Sequence, residues 1–525
     1  MTTRAPLLVL AGALAATLAA CGGGGSAGGL QPALDPTYRT TGKAASGEVF
    51  VHLFEWRWAD VARECEQFLG PRGYAAVQIS PPSEHAVIAG YPWWQRYQTV
   101  SYKLDASRSG SLAELRDMVG RCAAVGVKVY ADVVINHMTA GAGVGSAGSP
   151  YSKNDYPAVP WTAASFHIGC GISNYNDAAN VQLCELLGLA DLRTEDDAVR
   201  NRLADYLIAL NAEGVAGFRV DAAKHMQPRD IDAIVSRVNA AAVAAGRALP
   251  YYFLEVINNG GEAVTAPQYY GVGYASGGAS DVTDFQYGYR ITDAFSGRNG
   301  ATLASLQGLV AGLLPSDKSV VFVDNHDNQR GDNLSYSSAG YELAAIFMLA
   351  HPQGAPSVMS SYGFDRSSVA GRDAGPPSAA GGVTVSTFNG AGASLCTTAL
   401  GSAQVGSWIC EHRREAIANM VAFRKATAGA ALVGFQTVNA DNNRIAFARE
   451  GKGFVALSRS LATSFVAATT LPDGNYCNVA QYHYTAASGA VAATCSGPTI
   501  GVAGGSAAIN LPANSAVVLH VGAAL

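Results

Sequence analysis

The sequence predicts an α/β chain: a (β/α)8 barrel with an irregular excursion after its third strand, then a C-terminal antiparallel β-sandwich. Three observations predict it. From residue 48 short β-branched and aromatic runs alternate with amphipathic helical stretches, the pattern of parallel strand-helix units. Residues 138–190 break that rhythm with glycine, proline and two cysteines but no strong helix, and beyond about residue 426 short strands and turns replace the helices. At 525 residues the chain exceeds one ordinary core, so more than one domain is expected.

The first element is a processing segment. "MTTRAPLLVLAGALAATLAAC" has Arg4 as its positive charge, an apolar stretch and small residues before Cys21, so residues 1–20 read as a signal peptide. Leu18, Ala19, Ala20 and Cys21 resemble a bacterial lipobox. The expected product is therefore an exported lipoprotein on the cell envelope, with simple secretion as the alternative. Residues 21–47, beginning "CGGGGSAGG", read as a flexible tether.

The strands follow in order: "VFVHLF" (49–54), "YAAVQIS" (74–80), "VKVYADVVI" (127–135), "VAGFRVD" (215–221), "YYFLEVI" (251–257) and "SVVFVDN" (319–325), with weaker runs at "DVTDFQ" (281–286) and "APSVMS" (355–360) completing eight. Between them, "SLAELRDMVGRCAAVG" (111–126) and "DAVRNRLADYLIALNAEG" (197–214) have apolar spacings of three and four with a closing glycine, as helices do. The expected division is 48–137 and 191–425 for the barrel, 138–190 for the excursion and 426–525 for the all-β domain.

Charge and cysteines narrow the class. With 35 Lys+Arg against 40 Asp+Glu the net charge is -5, and no basic tract offers a nucleic-acid partner. Nine cysteines leave eight once Cys21 is set aside, an even set that reads as disulfides in an exported chain; eight allow 105 connectivities. None has CxxC spacing.

A barrel carries its chemistry at the C-terminal ends of its strands. Those ends hold Asn136 and His137, Arg219 and Asp221, Glu255, and His326 and Asp327. Three carboxylates converging on one mouth suit glycosidic-bond cleavage with retention, which needs a nucleophile and a proton donor. "YPWWQRYQTVSY" (91–102) adds Trp93, Trp94, Tyr97 and Gln98 as sugar platforms and contacts.

"DVVINH" (132–137), "GFRVDAAKH" (217–225), "EVI" (255–257) and "FVDNHD" (322–327) resemble the four ordered motifs of the α-amylase family of retaining glycoside hydrolases, which are TIM barrels. "HLFEWRW", "PWWQRYQ", "SYKL", "FMLAHP" and "ICEHRR" are similar to its animal-type branch and some secreted bacterial relatives. The resemblance implies Asp221 as nucleophile, Glu255 as general acid/base and Asp327 as the carboxylate that holds the distorted sugar. It also implies Arg219 beside Asp221 keeping it ionised, His137 and His326 donating to the sugar, and Lys224 and His225 further along the cleft. A structural calcium is implied at the Asn136 and Asp191 side chains and the Gln182 and His225 carbonyls. The implied disulfides are Cys65–Cys122, Cys170–Cys184, Cys396–Cys410 and Cys477–Cys495.

Two departures stand out. The branch's chloride site pairs Arg219 and Asn325 with a further base, but Ser357 stands there, so chloride is not expected as a cofactor. The glycine-rich loop after the seventh strand is replaced by "GDNLSYSS" (331–338). The expected activity is endo-hydrolysis of α-1,4 bonds in starch, glycogen and maltodextrins by a monomer whose only membrane attachment is the lipid at Cys21. The alternatives are a transglycosylase or exo-acting enzyme of the same family, and a non-catalytic starch-capturing surface lipoprotein.

Overall fold

The computed structural model describes residues 29–525 apart from 332, 399–403 and 489–490, so the expected leader and Cys21 lie outside the described residues. All eight expected strands form: β1 (Phe50–Leu53), β2 (Ala76–Ile79), β3 (Lys128–Val133), β4 (Gly217–Val220), β5 (Tyr251–Leu254), β6 (Ser280–Thr283), β7 (Ser319–Val321) and β8 (Ala355–Tyr362). Each pairs in parallel with the next, and β1 pairs with β8 through Phe50 and Ser357, which closes the barrel. Packed helices include α1 (Trp58–Glu64), α2 (Leu112–Ala124), α3 (Asp197–Ala212), α4 (Pro228–Ala244), α5 (Phe285–Ser296), α6 (Tyr341–Ala350) and α7 (Glu415–Ala426).

Local chemistry explains the boundaries. Ser111 starts α2 as a capping box, its hydroxyl accepting from the Glu114 N–H while Glu114 accepts from the Ser111 N–H, so two orphan donors are satisfied together. The Cys65–Cys122 disulfide then ties α2 to the segment that follows α1. The barrel floor is filled by Phe50, Tyr130, Tyr251, Phe253 and Val320, which leaves the polar residues to the upper end.

The excursion is built from short pieces such as Ala142–Val144 paired with Pro150–Ser152, and it is stapled by Cys170–Cys184. It rejoins the barrel where Asp191 bridges to His137. In the C-terminal region Leu432–Val438, Asp441–Arg449, Gly453–Ser458 and Ser515–His520 form an antiparallel sheet, and the paired strands Thr463–Ala468 and Ser506–Leu511 help to bury Phe454, Ile509 and Leu519. Arg449 fastens this region to α6 by donating to the Ala350 carbonyl at 2.9 Å. All four implied disulfides are present.

One expectation needs correction. Residues 29–47, taken as part of a flexible tether, lie against the barrel. The Gln31 N–H donates to Gln227 Oε1 at 2.5 Å, Arg229 donates to the Pro32 and Ala33 carbonyls, and Thr41 donates to Asp281 at 2.7 Å. Side-chain hydrogen bonds to single residues hold this strap, and they leave no periodic trace in sequence.

Candidate active site

The site begins with a glycine. A Cβ on Gly217 would lie 2.7 Å from the Tyr251 carbonyl and 2.8 Å from the Tyr130 ring, so this face of β4 points at the filled barrel axis. Strand side chains alternate, so Arg219 shares that face, with Asp221 following just beyond the strand. Phe253 on β5 likewise carries Glu255 two residues later. Spacing along β4 places Arg219 and Asp221 on one face, and the β4–β5 register, with Arg219 opposite Phe253, brings Glu255 beside them.

Arg219 serves more groups than expected. Its Nη1 donates to Asp132 at 2.7 and 2.9 Å and to Asp221 Oδ1 at 2.8 Å, and its Nη2 donates to Glu255 Oε1 at 2.5 Å. The other Glu255 oxygen accepts the Ala222 N–H at 2.9 Å, from a backbone held at φ 49°. One buried cation cannot balance three buried carboxylates. Burial pushes Asp132 up to about 7, and it raises Asp221 and Glu255 as well, with Arg219 opposing each rise. The expectation that Arg219 keeps Asp221 ionised therefore holds only as an opposing pull, since the net direction is upward. Arg219 was also expected to bind substrate. It lies beneath the cleft with its fork occupied by carboxylates, so it positions and does not touch.

Above this group opens a cleft of about 570 Å3. Asp221, Glu255 and Asp327 line it together with Trp93, Trp94, Tyr97, Gln98, His137, Lys224, His225 and His326. Tyr97 stacks on His326 at 4.9 Å, and its hydroxyl donates to Asp132 at 3.0 Å. Burial and then the neighbouring Glu255 charge push Asp327 up to about 8. Its side chain keeps 40% of its surface exposed on the cleft. His326 is driven well below the usual histidine range by burial, then by Arg219, which leaves it neutral. His137 departs from expectation: its Nε2 pairs with the Tyr97 carbonyl at 3.0 Å and its Nδ1 with Asn136 at 3.1 Å, so neither nitrogen is free for a sugar.

Other wall residues were not anticipated. Tyr175, Leu186, Leu187 and Leu189 reach the cleft from the excursion, and Ile257 from the end of β5. Lys224 sits 4.9 Å over the Tyr175 ring and pairs with Glu262. Asp132 was missed although it opens the quoted "DVVINH"; a strand-interior aspartate, opposite in register to an arginine two residues before Asp221, was the available signal.

The implied calcium ligands come as two neighbouring pairs, Asp191 bridging to His137 beside Asn136, and Gln182 lying next to the Val181 carbonyl that His225 meets. Asn136 gives its amide N–H to His137, leaving its oxygen free, and His225 is tied to the Val181 carbonyl at 3.1 Å, next to Gln182. Neither the Gln182 nor the His225 carbonyl accepts a hydrogen bond among the described residues. Asp191 is buried, and burial pushes it up to about 7 although His167 donates to it at 2.7 Å. A buried carboxylate beside undonated oxygens fits a hard cation. No cluster of three or more His, Cys, Asp or Glu is placed to hold a metal among the described residues, so neutral oxygens would dominate the donor set.

Beneath the carboxylates a cavity of about 30 Å3 is lined by residues that include Arg219, Asn325, Ser357 and His52. It is large enough for one small particle. Among the described residues Arg219 is the only Lys or Arg that lines it, and it already faces Asp132, Asp221 and Glu255.

The chain matches the model of the α-amylase catalytic domain over residues 75–243 and that of the α-amylase C-terminal all-β domain over residues 436–522. It is 45% identical to an α-amylase of Thermomonospora curvata over 90% of this chain and 73% of that one. It is 43% identical to an α-amylase of Tribolium castaneum, over 92% and 96% respectively. Among solved structures, a variant of α-amylase I from Eisenia fetida in complex with maltohexaose superposes with a TM-score of 0.80 at 36% identity, covering 92% of this chain and 99% of that one. Family models at both ends of the chain, extended likeness to named enzymes and a shared barrel agree: this chain belongs to the α-amylase family of glycoside hydrolases.

Proposed function

We propose that the chain hydrolyses internal α-1,4-glucosidic bonds of starch, glycogen and maltodextrins with retention. The observation that carries this reading is that Asp221 and Glu255 accept from the two arms of one guanidinium, a spacing that favours direct attack over one with room for an intervening water. Glu255 protonates the glycosidic oxygen as Asp221 attacks the anomeric carbon, and the leaving chain departs. Glu255 then takes a proton from water, which attacks the glycosyl ester and frees Asp221. Asp327 faces the same cleft, with Trp93, Trp94 and Tyr97 as ring platforms. Release of reducing ends from soluble starch tests the reading, and its absence would leave starch capture as the better account.

Asn136, Asp191 and the Gln182 and His225 carbonyls would hold a calcium ion that supplies positive charge and ties the excursion to the barrel. Excess chelator is expected to lower the melting midpoint, because a ligand bound only by the native state at a hundredfold excess over Kd contributes about 2.7 kcal/mol. An unchanged melting curve, with no metal detected by elemental analysis, would remove the site.

The cavity at Ser357 does not fit chloride, since a hydroxyl stands where a second cation would offset the anion's desolvation. Activity is expected to be nearly constant when chloride is restored to a dialysed enzyme. Ser357→Arg is expected to introduce dependence and, through an anion near Glu255, to move the basic limb of the pH profile upward. Severalfold activation of the wild type at millimolar chloride would contradict this.

The four disulfides accord with an oxidising compartment outside the cytoplasm. We assign residues 1–20 as the leader and Cys21 as a lipid anchor, with the barrel, excursion and β-domain divided at 138, 191 and 426. Cys21→Ser is expected to move the protein from the membrane to the soluble fraction. A wild-type protein already soluble and starting at another residue would exclude the anchor.

A further inference from the structure

Three arginines meet beside the cleft around a polar depression of about 500 Å3: Arg330, Arg366 and Arg372. Each is fixed by a backbone carbonyl within the same group. Arg330 Nε donates to the Arg372 carbonyl at 2.9 Å, Arg372 Nη1 to the Arg366 carbonyl at 2.9 Å, and Arg366 Nη2 to the Gly331 carbonyl at 2.5 Å. This closed set of contacts orients three forks on neutral oxygens. Their remaining hydrogen bonds among the described residues also end on neutral oxygens, those of His326, Tyr362, Ser335 and Asn333. The neighbouring Asp365 carboxylate is occupied by Ser367 and Ser368. Asp332 lies outside the described residues.

The nearest opposite charges, Asp365 for Arg372, Asp324 for Arg366 and Asp327 for Arg330, act on them without forming an ion pair among the described residues, so the three like charges still repel, and an oxyanion seated among them relieves that repulsion. Guanidinium forks match the oxygens of phosphate, giving short charge-assisted hydrogen bonds. The depression also communicates with the cleft: Arg330 lies 4.6 Å over the Trp93 ring and donates to the His326 carbonyl at 2.8 Å, and both of those residues line the cleft wall. A group bound here is therefore adjacent to a glucan chain lying in the cleft.

We propose that Arg330, Arg366 and Arg372 form an accessory subsite for a phosphate monoester carried on the α-glucan substrate. This rests on the hydrolytic reading above and extends it to phosphorylated starch. A free phosphate ion would be bound by the same chemistry, and the test separates the two.

The experiment compares kcat/KM on maltodextrins from phosphorylated starch with kcat/KM on the same maltodextrins after phosphatase treatment. The wild type is expected to prefer the phosphorylated pool by about tenfold, the effect of a charge-assisted hydrogen-bond set. Arg372→Gln, which touches neither the catalytic carboxylates nor the cleft lining, is expected to abolish the preference and leave the rate on the treated pool unchanged. Inorganic phosphate is expected to inhibit only the phosphorylated pool. Equal kcat/KM on both pools in the wild type, or a preference that survives in the Arg366→Gln, Arg372→Gln double variant, overturns the proposal. If inorganic phosphate raises the melting midpoint of the wild type but not of Arg372→Gln, while both pools are cut equally, the arginines bind the free ion and the glucan-ester assignment is wrong. Failure to cut the treated pool at all would instead strike the hydrolytic reading.

Discussion

Asp221→Asn is expected to lower turnover on soluble starch by about 10^4-fold, and Glu255→Gln by about 10^2- to 10^4-fold, with melting midpoints largely kept. The two losses have different origins. An amide at 221 cannot attack the anomeric carbon, so the covalent step is lost whatever the leaving group. An amide at 255 cannot protonate the glycosidic oxygen, so a substrate whose leaving group needs no proton, such as an α-maltosyl fluoride, is expected to recover part of the rate in Glu255→Gln but not in Asp221→Asn. Each replacement also removes one negative charge facing Arg219, which lightens an unbalanced group and explains why folding is expected to survive. Near-normal starch hydrolysis by either variant would refute the roles.

Arg219→Met is expected to be the most damaging single change to the frame of the site. The guanidinium is buried and bonded to Asp132, Asp221 and Glu255, so its removal strands three carboxylates in low dielectric, at a cost of about 3–5 kcal/mol for breaking a buried pair. The sign of the pH effect follows. Arg219 now opposes the upward push of burial on Asp221 and Glu255, so without it both rise further. The nucleophile must be ionised and the acid protonated, so the acidic and basic limbs of the kcat/KM profile are both expected to move to higher pH. Stability is expected to fall as pH rises, because raised carboxyls bind protons in the folded state that the unfolded chain has released. Arg219→Lys keeps a charge without the fork, and it is expected to rescue stability in part while leaving the profile displaced. An unshifted profile in Arg219→Met would mean that the guanidinium does not govern these carboxyls.

What sequence showed and what it hid divide along physical lines. The eight strands were legible because a buried parallel strand must be apolar on both faces, and each apolar run ended where polar residues had no packing reason to be. Asp221, Glu255 and Asp327 stood out as such unexplained groups. The excursion's contribution was hidden, because Tyr175, Leu186, Leu187 and Leu189 lie in a segment with no period to place them. Arg219 was visible, but its service to three carboxylates depends on Asp132 from β3 and Glu255 from β5 sharing one fork, which is set by barrel register. The docked strap at residues 29–47 was hidden for a related reason: a few specific hydrogen bonds hold it, and its composition alone reads as a tether.

The most direct test of the central claim is the anomeric form and size of the first products released from long maltodextrins, followed by proton NMR and chromatography before mutarotation equilibrates them. Attack by Asp221 on the face opposite the leaving chain, followed by water on the face that chain vacated, inverts the anomeric carbon twice and predicts α-anomers and a mixture of chain lengths from internal cuts. First-formed β-anomers would contradict the paired roles of Asp221 and Glu255, and a single short product released from chain ends would contradict endo-cleavage.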